Sequence, residues 1–121
     1  MRLLPTLSLL CFLLSAQAES VRLLVQSSPL AGSQYYALGE FWREMRVGDA
    51  LTLIREPDNR HDRRAIRVEW RGHKLGYVPR KENLQVAAAL DAGDRVSARI
   101  SRLKEDRDPW QRVEIEIFLH L

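Results

Sequence analysis

Cysteine is almost absent from the 121 residues: Cys11 stands alone. No disulfide can form within the chain, and a zinc site built on cysteine thiolates is excluded. Long hydrophobic runs are scarce as well. Only Leu3 to Leu14 is apolar, apart from Pro5, Thr6 and Ser8, and it falls short of the roughly 20 helical residues that cross a bilayer. No glycine-rich Walker loop occurs, which excludes nucleotide hydrolysis of that type. No serine sits in a nucleophile-elbow pattern. His61, His73 and His120 lack metal-ligand spacing. Charge of one sign does not dominate either: 19 Lys and Arg face 16 Asp and Glu, a formal net charge of +3. That excess is too mild to establish a nucleic-acid binder by itself.

What is present describes one small domain. Hydrophobic residues make up 45% and charged residues 29%, a globular balance rather than a disordered one. Of the basic residues, 16 are Arg, which favours forked contacts to carboxylate or phosphate. The N-terminus has the three-part layout of a secretory signal: Arg2, the apolar run, then Ala16-Gln17-Ala18. Residues 1–18 are therefore expected to be a signal peptide and residues 19–121 the mature domain, secreted or periplasmic and free of the membrane after cleavage. A retained anchor is the alternative, disfavoured by the short run. Leu10 before Cys11 argues against a lipoprotein signal. The mature domain has no cysteine, so its stability must come from its core, which ~100 residues can supply.

Period-2 alternation predicts strands at Val21–Ser27, with Leu23 and Val25 on one face, and at Ile66–Trp70, and Ala50–Arg55 reads as a short β-prone strand. Arg71-Gly72 suits a tight hairpin turn into a return strand over Leu75–Val78. Arg95–Leu103 and Val113–Leu119 are two further alternating strands. Leu38–Met45 reads as a short helical turn with Phe41, Trp42 and Met45 on its apolar side. Asn83–Asp91 reads as a helix capped by Asn83 and stopped by Gly93. The expected fold is mainly β: a small six-stranded barrel with one helix between the fourth and fifth strands, closed so as to remove exposed edges.

The stretch most able to carry chemistry runs from Leu53 to Val68, followed by Gly76-Tyr77-Val78-Pro79-Arg80. Two strands flank a polar loop in which Pro57, Asn59 and Asp62 suit a turn held by side-chain-to-backbone bonds. Glu56, Asp58, His61 and Asp62 crowd into this loop. A hard-cation or zinc site is one reading of them; a loop bonding its own backbone is the favoured one, and no cofactor is implied. Nine basic residues lie between Arg55 and Lys81. With Tyr35, Tyr36, Tyr77 and Trp110 they supply the cations and aromatic platforms of a single-strand site. A solvated basic face beside core aromatics is the plainer alternative.

The Arg55–Val68 run, with Gly76 to Arg80 after it and Ala31-Gly32-Ser33-Gln34-Tyr35-Tyr36 before it, resembles the HIRAN domain family over roughly Val21 to Leu119. The resemblance implies an OB-like, six-stranded β-barrel that binds rather than catalyses, with no ATPase, nuclease or hydrolase motif of its own. It implies a single-stranded DNA 3′ end as partner. Position by position, Tyr35 and Tyr36 match paired tyrosines that stack bases and contact phosphate. Asp62 matches the acceptor of the terminal 3′-hydroxyl, Arg80 a lysine on the phosphate backbone, and Trp110 falls near an aromatic of the pocket. Asn59 and His61 belong to the same loop. Two positions depart from the end-binding pattern: Gln34 replaces an arginine and His61 a tyrosine. The alternative reading is a periplasmic interaction module for an envelope protein, with no nucleic-acid role.

Overall fold

The computed structural model describes residues 21–121; the expected signal segment, residues 1–18, lies outside them. Six strands occur among the described residues: β1 (Arg22–Pro29), β2 (Ala50–Arg55), β3 (Ile66–Trp70), β4 (His73–Tyr77), β5 (Val96–Leu103) and β6 (Val113–His120). They form one antiparallel sheet in the order β1-β6-β5-β2-β3-β4. The outer strands β1 and β4 curl toward each other and meet at a single bridge. There Ala31 N donates to Tyr77 O and Tyr77 N to Ala31 O, both at 2.9 Å. The result is the expected OB-like, mainly β fold, closed at one point only. Gly76 makes that point possible, because a Cβ there would collide with the Ala31 carbonyl oxygen.

Two short helices accompany the sheet, α1 (Leu38–Phe41) and α2 (Leu84–Asp91). The second lies between β4 and β5, as expected. Gly93 at φ 84° ends it, with Asp94 N bonded to Ala89 O at 3.0 Å, the arrangement that satisfies terminal helix carbonyls. The core lies inside the curl of the sheet. Ile66, Val68, Leu75, Ile100, Ile115 and Ile117 are fully buried there, one from each inward position of an alternating strand. Phe41 and Trp42 pack against this core and Met45 lies within it.

The structure revises three local expectations. The return strand begins at His73 rather than Leu75, because Arg71 (φ 48°) and Gly72 (φ 83°) make a two-residue turn with both central φ positive. That turn places His73 directly opposite Trp70. The second revision concerns β1. Leu23 and Val25, expected on one face of an unbroken alternation, meet a break in it at Val25, and both are about half exposed. The register against β6 slips between Leu24 and Gln26, and such a bulge resets the alternation, so Ser28 and Leu30 are the residues that turn inward. Third, the Asn83 side chain does not cap α2; it reaches across to Asp62 instead.

Candidate nucleic-acid interface

The loop between β2 and β3 is pinned from within. Glu56 N donates to Ala65 O at 2.9 Å and Asn59 N to Glu56 O at 3.0 Å. The Asn59 Oδ1 atom accepts from His61 N at 2.8 Å and Asp62 N at 3.2 Å. Asp62 Oδ1 accepts from Arg64 N at 2.9 Å. These are the side-chain turns that Asn and Asp are suited to make. Asn59 and Asp62 thus hold the shape of the loop.

Glu56 anchors the loop to the sheet. Its Oε1 accepts from Asn59 Nδ2 at 2.9 Å and from the Tyr77 hydroxyl at 2.7 Å. Its Oε2 accepts from Arg67 at 2.9 Å. Partial burial pushes the Glu56 carboxyl toward neutrality, but these three donors outweigh it and hold its pKa below the ordinary value. Burial, with the Glu56 carboxylate beside it, pushes the Tyr77 phenol up, so it stays protonated and donates. Lys74 Nζ donates to the same hydroxyl at 2.8 Å and lies over the Tyr36 ring at 4.1 Å. Tyr36 meets Tyr77 edge-on at 6.0 Å. One chain of contacts therefore runs from Asn59 through Glu56, Tyr77 and Lys74 to Tyr36.

Asp62 is fixed from the opposite side. Its Oδ2 accepts from Asn83 Nδ2 at 2.7 Å, and Asn83 is 0% exposed. Partial burial raises the Asp62 pKa, but the bonds from Arg64 N and Asn83, with the charges of Arg80 and Arg64, lower it more. The net shift is downward, and the carboxylate stays ionised. A carboxylate offers about four lone-pair positions, so Asp62 keeps acceptor capacity toward the outside.

These elements enclose a cleft of about 250 Å³. Tyr36, Asn59, His61, Asp62 and Arg80 line it together, with Tyr77 as part of the wall. Five of the seven expected site residues thus converge. Tyr35 does not line the cleft; it is 76% exposed beside it, edge-on to Tyr36 at 6.5 Å. Trp110 does not line it either. It sits in the short 3-10 turn Pro109–Gln111, where its backbone N–H donates to Asp108 Oδ1. A larger cavity of about 470 Å³, between Trp42 and Arg112, shares only Tyr36 with the cleft.

Sequence reasoning missed three contributors. Along the chain Glu56 reads as a metal-ligand candidate or as an acid offsetting the basic residues, and Lys74 as one of those basic residues. Asn83 reads as a helix cap, which its position before α2 favours. No local signal marks it as the partner of a loop 21 residues away.

A HIRAN domain model matches residues 23–121. The chain belongs to the HIRAN domain family. HIRAN domains are nucleic-acid-binding modules. Among solved structures, this HIRAN domain is similar to a protein from Lactobacillus plantarum, with 28% identity and a TM-score of 0.72. That match covers 84% of this chain and 98% of the other. The HIRAN domain of human HLTF shares the fold, with a TM-score of 0.56 at 16% identity, over 84% of this chain and 73% of that one. Among curated proteins none matches the sequence.

Proposed function

We propose that this HIRAN domain is a binding module, not an enzyme, that takes single-stranded nucleic acid, and the 3′ end of a DNA strand in particular, in the cleft between Tyr36, Asp62 and Arg80. The observation that carries the reading is the convergence of an aromatic wall, an acceptor and a guanidinium on one cleft. Each has a separate task. Tyr35 and Tyr36 offer π-faces on which a base stacks irrespective of its identity. Arg80 forms no ion pair among the described residues and is available to a backbone phosphate. Asp62 presents its outward lone pairs to the terminal 3′ oxygen. Asn59 and Asn83 hold Asp62 in place, and Glu56 holds Asn59, so little ordering of the acceptor remains to be done on binding.

The test is fluorescence anisotropy with short labelled single strands at low salt, where phosphate attraction is strongest. Saturable binding that strengthens when a free 3′ end is available supports the reading. Absence of saturable binding to any single strand overturns it. The reading includes export with cleavage after Ala18, motivated by the three-part N-terminus. Mass spectrometry of the protein from its native host checks this, and a soluble product that begins with Met1 refutes it.

A further inference from the structure

The sheet keeps one open edge away from the cleft. β1 is an outer strand, and the chain meets β4 only at the Ala31 bridge, past the end of β1. Leu121 N donates to Val21 O at 2.9 Å, and Leu23 stands opposite Leu119. The backbone of Val21 and Leu23 therefore turns toward β6, and that of Arg22 and Leu24 turns to the open side. Among the described residues no backbone partner reaches these outward N–H and C=O groups.

Apolar side chains gather at the same place. Val21, Leu23, Leu24, Val25 and Leu121 are each about half exposed or more, and they make up five of the ten large apolar residues exposed in the described domain. That clustering, rather than any single exposed residue, marks an interaction surface. Beside Val25 lies an apolar groove of about 250 Å³ between β1 and α2, lined by Val25, Val86, Ala89, Val96 and Leu119 together with two glutamines. Natural edge strands are guarded by lysine, proline or inward charge. From Val21 to Ser28 the only charge is Arg22, and its guanidinium lies over the Phe118 ring at 4.2 Å. The bulge between Leu24 and Gln26 then confines the regular edge to the segment before it.

We propose that this edge pairs with the same edge of a second copy, giving an antiparallel two-fold dimer through Val21–Val25. The edge sets three conditions on its occupant. The outward backbone asks for an extended strand. Leu23 and Leu24, exposed on opposite faces, ask for apolar side chains on both faces of that strand. Arg22 asks that no second cation stand opposite it. β1 itself meets all three. With the two-fold axis at Leu23, Arg22 of one copy stands opposite Leu24 of the other, and each such pair exchanges both N–H···O bonds. The two Leu23 side chains meet at the axis in the closer, non-hydrogen-bonded spacing, and Val21 meets Val25. One patch thus serves both copies, as an isologous interface requires. A stretch of this length covers less than the ~800 Å² per partner of a standard interface, so the dimer is reversible and forms as concentration rises. No residue of β1 or α2 lines the cleft of Tyr36, Asp62 and Arg80, so the pairing is independent of the proposed function.

Sedimentation velocity of the purified protein over a dilution series tests the dimer. The mass should rise from one chain to two with concentration. Leu23→Lys sets two lysines face to face at the axis and should weaken dimerisation by about tenfold or more. The side chain is half exposed, so the dilute variant should melt close to dilute wild type. Hydrogen exchange of the wild-type protein reads the pairing without any substitution. The Arg22 and Leu24 amides should exchange about tenfold more slowly at dimerising concentration than in dilute solution. A one-chain mass at every concentration overturns the proposal and leaves the edge to a strand of another protein. A dimer that forms without slowing exchange at Arg22 and Leu24 lies elsewhere on the molecule and overturns it as well.

Discussion

Removing the Asp62 carboxylate should lower the stability of the whole domain, although the residue sits on a surface loop. Asp62→Ala leaves Asn83 Nδ2 without its acceptor in a fully buried position, and Asn83 Oδ1 already has no partner. A buried donor left unsatisfied costs about 1–3 kcal/mol. The lost bond to Arg64 N at 2.9 Å is exposed and adds about 0.5 kcal/mol, at the low end for a solvent-competed hydrogen bond. The expected total is about 1.5–3.5 kcal/mol. At roughly 4–8 °C per kcal/mol for a domain of this size, the melting midpoint should fall by about 6–28 °C. Thermal unfolding followed by circular dichroism measures the shift. A double-mutant cycle with Asn83→Ala separates the pair from the loop. If the Asp62–Asn83 bond is the cause, the double variant should be less destabilised than the two singles summed, by about 1 kcal/mol or more. Acid provides a second readout. Because the folded-state pKa of Asp62 is depressed, its contribution is complete above the ordinary carboxylate pKa. It is lost as pH falls through the lower folded value. The wild-type protein should therefore lose stability in that acid window, and Asp62→Ala should lose less. A melting midpoint within about 2 °C of wild type at neutral pH, well under the effect of one unpaired buried donor, refutes the reasoning.

Gly76→Ala should destabilise by more than about 3 kcal/mol in urea unfolding, since the new methyl meets Ala31 backbone that has nowhere to yield; wild-type stability would mean that the bridge closing the sheet is dispensable. Glu56→Ala removes the acceptor of Asn59, Tyr77 and Arg67, of which Arg67 keeps Glu69 at 2.8 Å, and should cost about 1–3 kcal/mol by the same measurement. Arg80→Ala should weaken all single strands alike and reduce the slope of log affinity against log salt by roughly 0.7, one phosphate contact's worth; an unchanged slope would remove Arg80 from the phosphate path. Tyr35→Ala should cost about 1–3 kcal/mol of binding with little dependence on base identity, while leaving the melting midpoint unaltered because the ring is largely exposed.

Much of this architecture is legible along the chain, because its signals are local. β3, β5 and β6 alternate at period 2, and that period alone assigns their inward faces. Arg71-Gly72 marks a turn because glycine adopts a positive φ freely. Gly93 marks a helix end for the same reason. The Asn59 and Asp62 turns are also local, since each side chain bonds backbone within three residues. Where the expectation failed, the deciding partner is remote. The inward set of β1 depends on where its register slips against β6, a choice made by the pairing and not by β1. Asn83 has two uses for its amide, and only the arrival of Asp62 beside it decides between them. Glu56, Tyr77, Lys74 and Tyr36 span 42 residues of sequence and touch only because β3 and β4 pair and the Ala31 bridge draws the Tyr36 turn onto them. A sequence thus determines which residues can turn, alternate or carry charge. The tertiary structure decided which of those charges are neutralised by a neighbour and which, like Arg60, Arg63, Arg64 and Arg80, are left facing one space. A charge counted along a chain carries no distance, and electrostatic energy depends on distance.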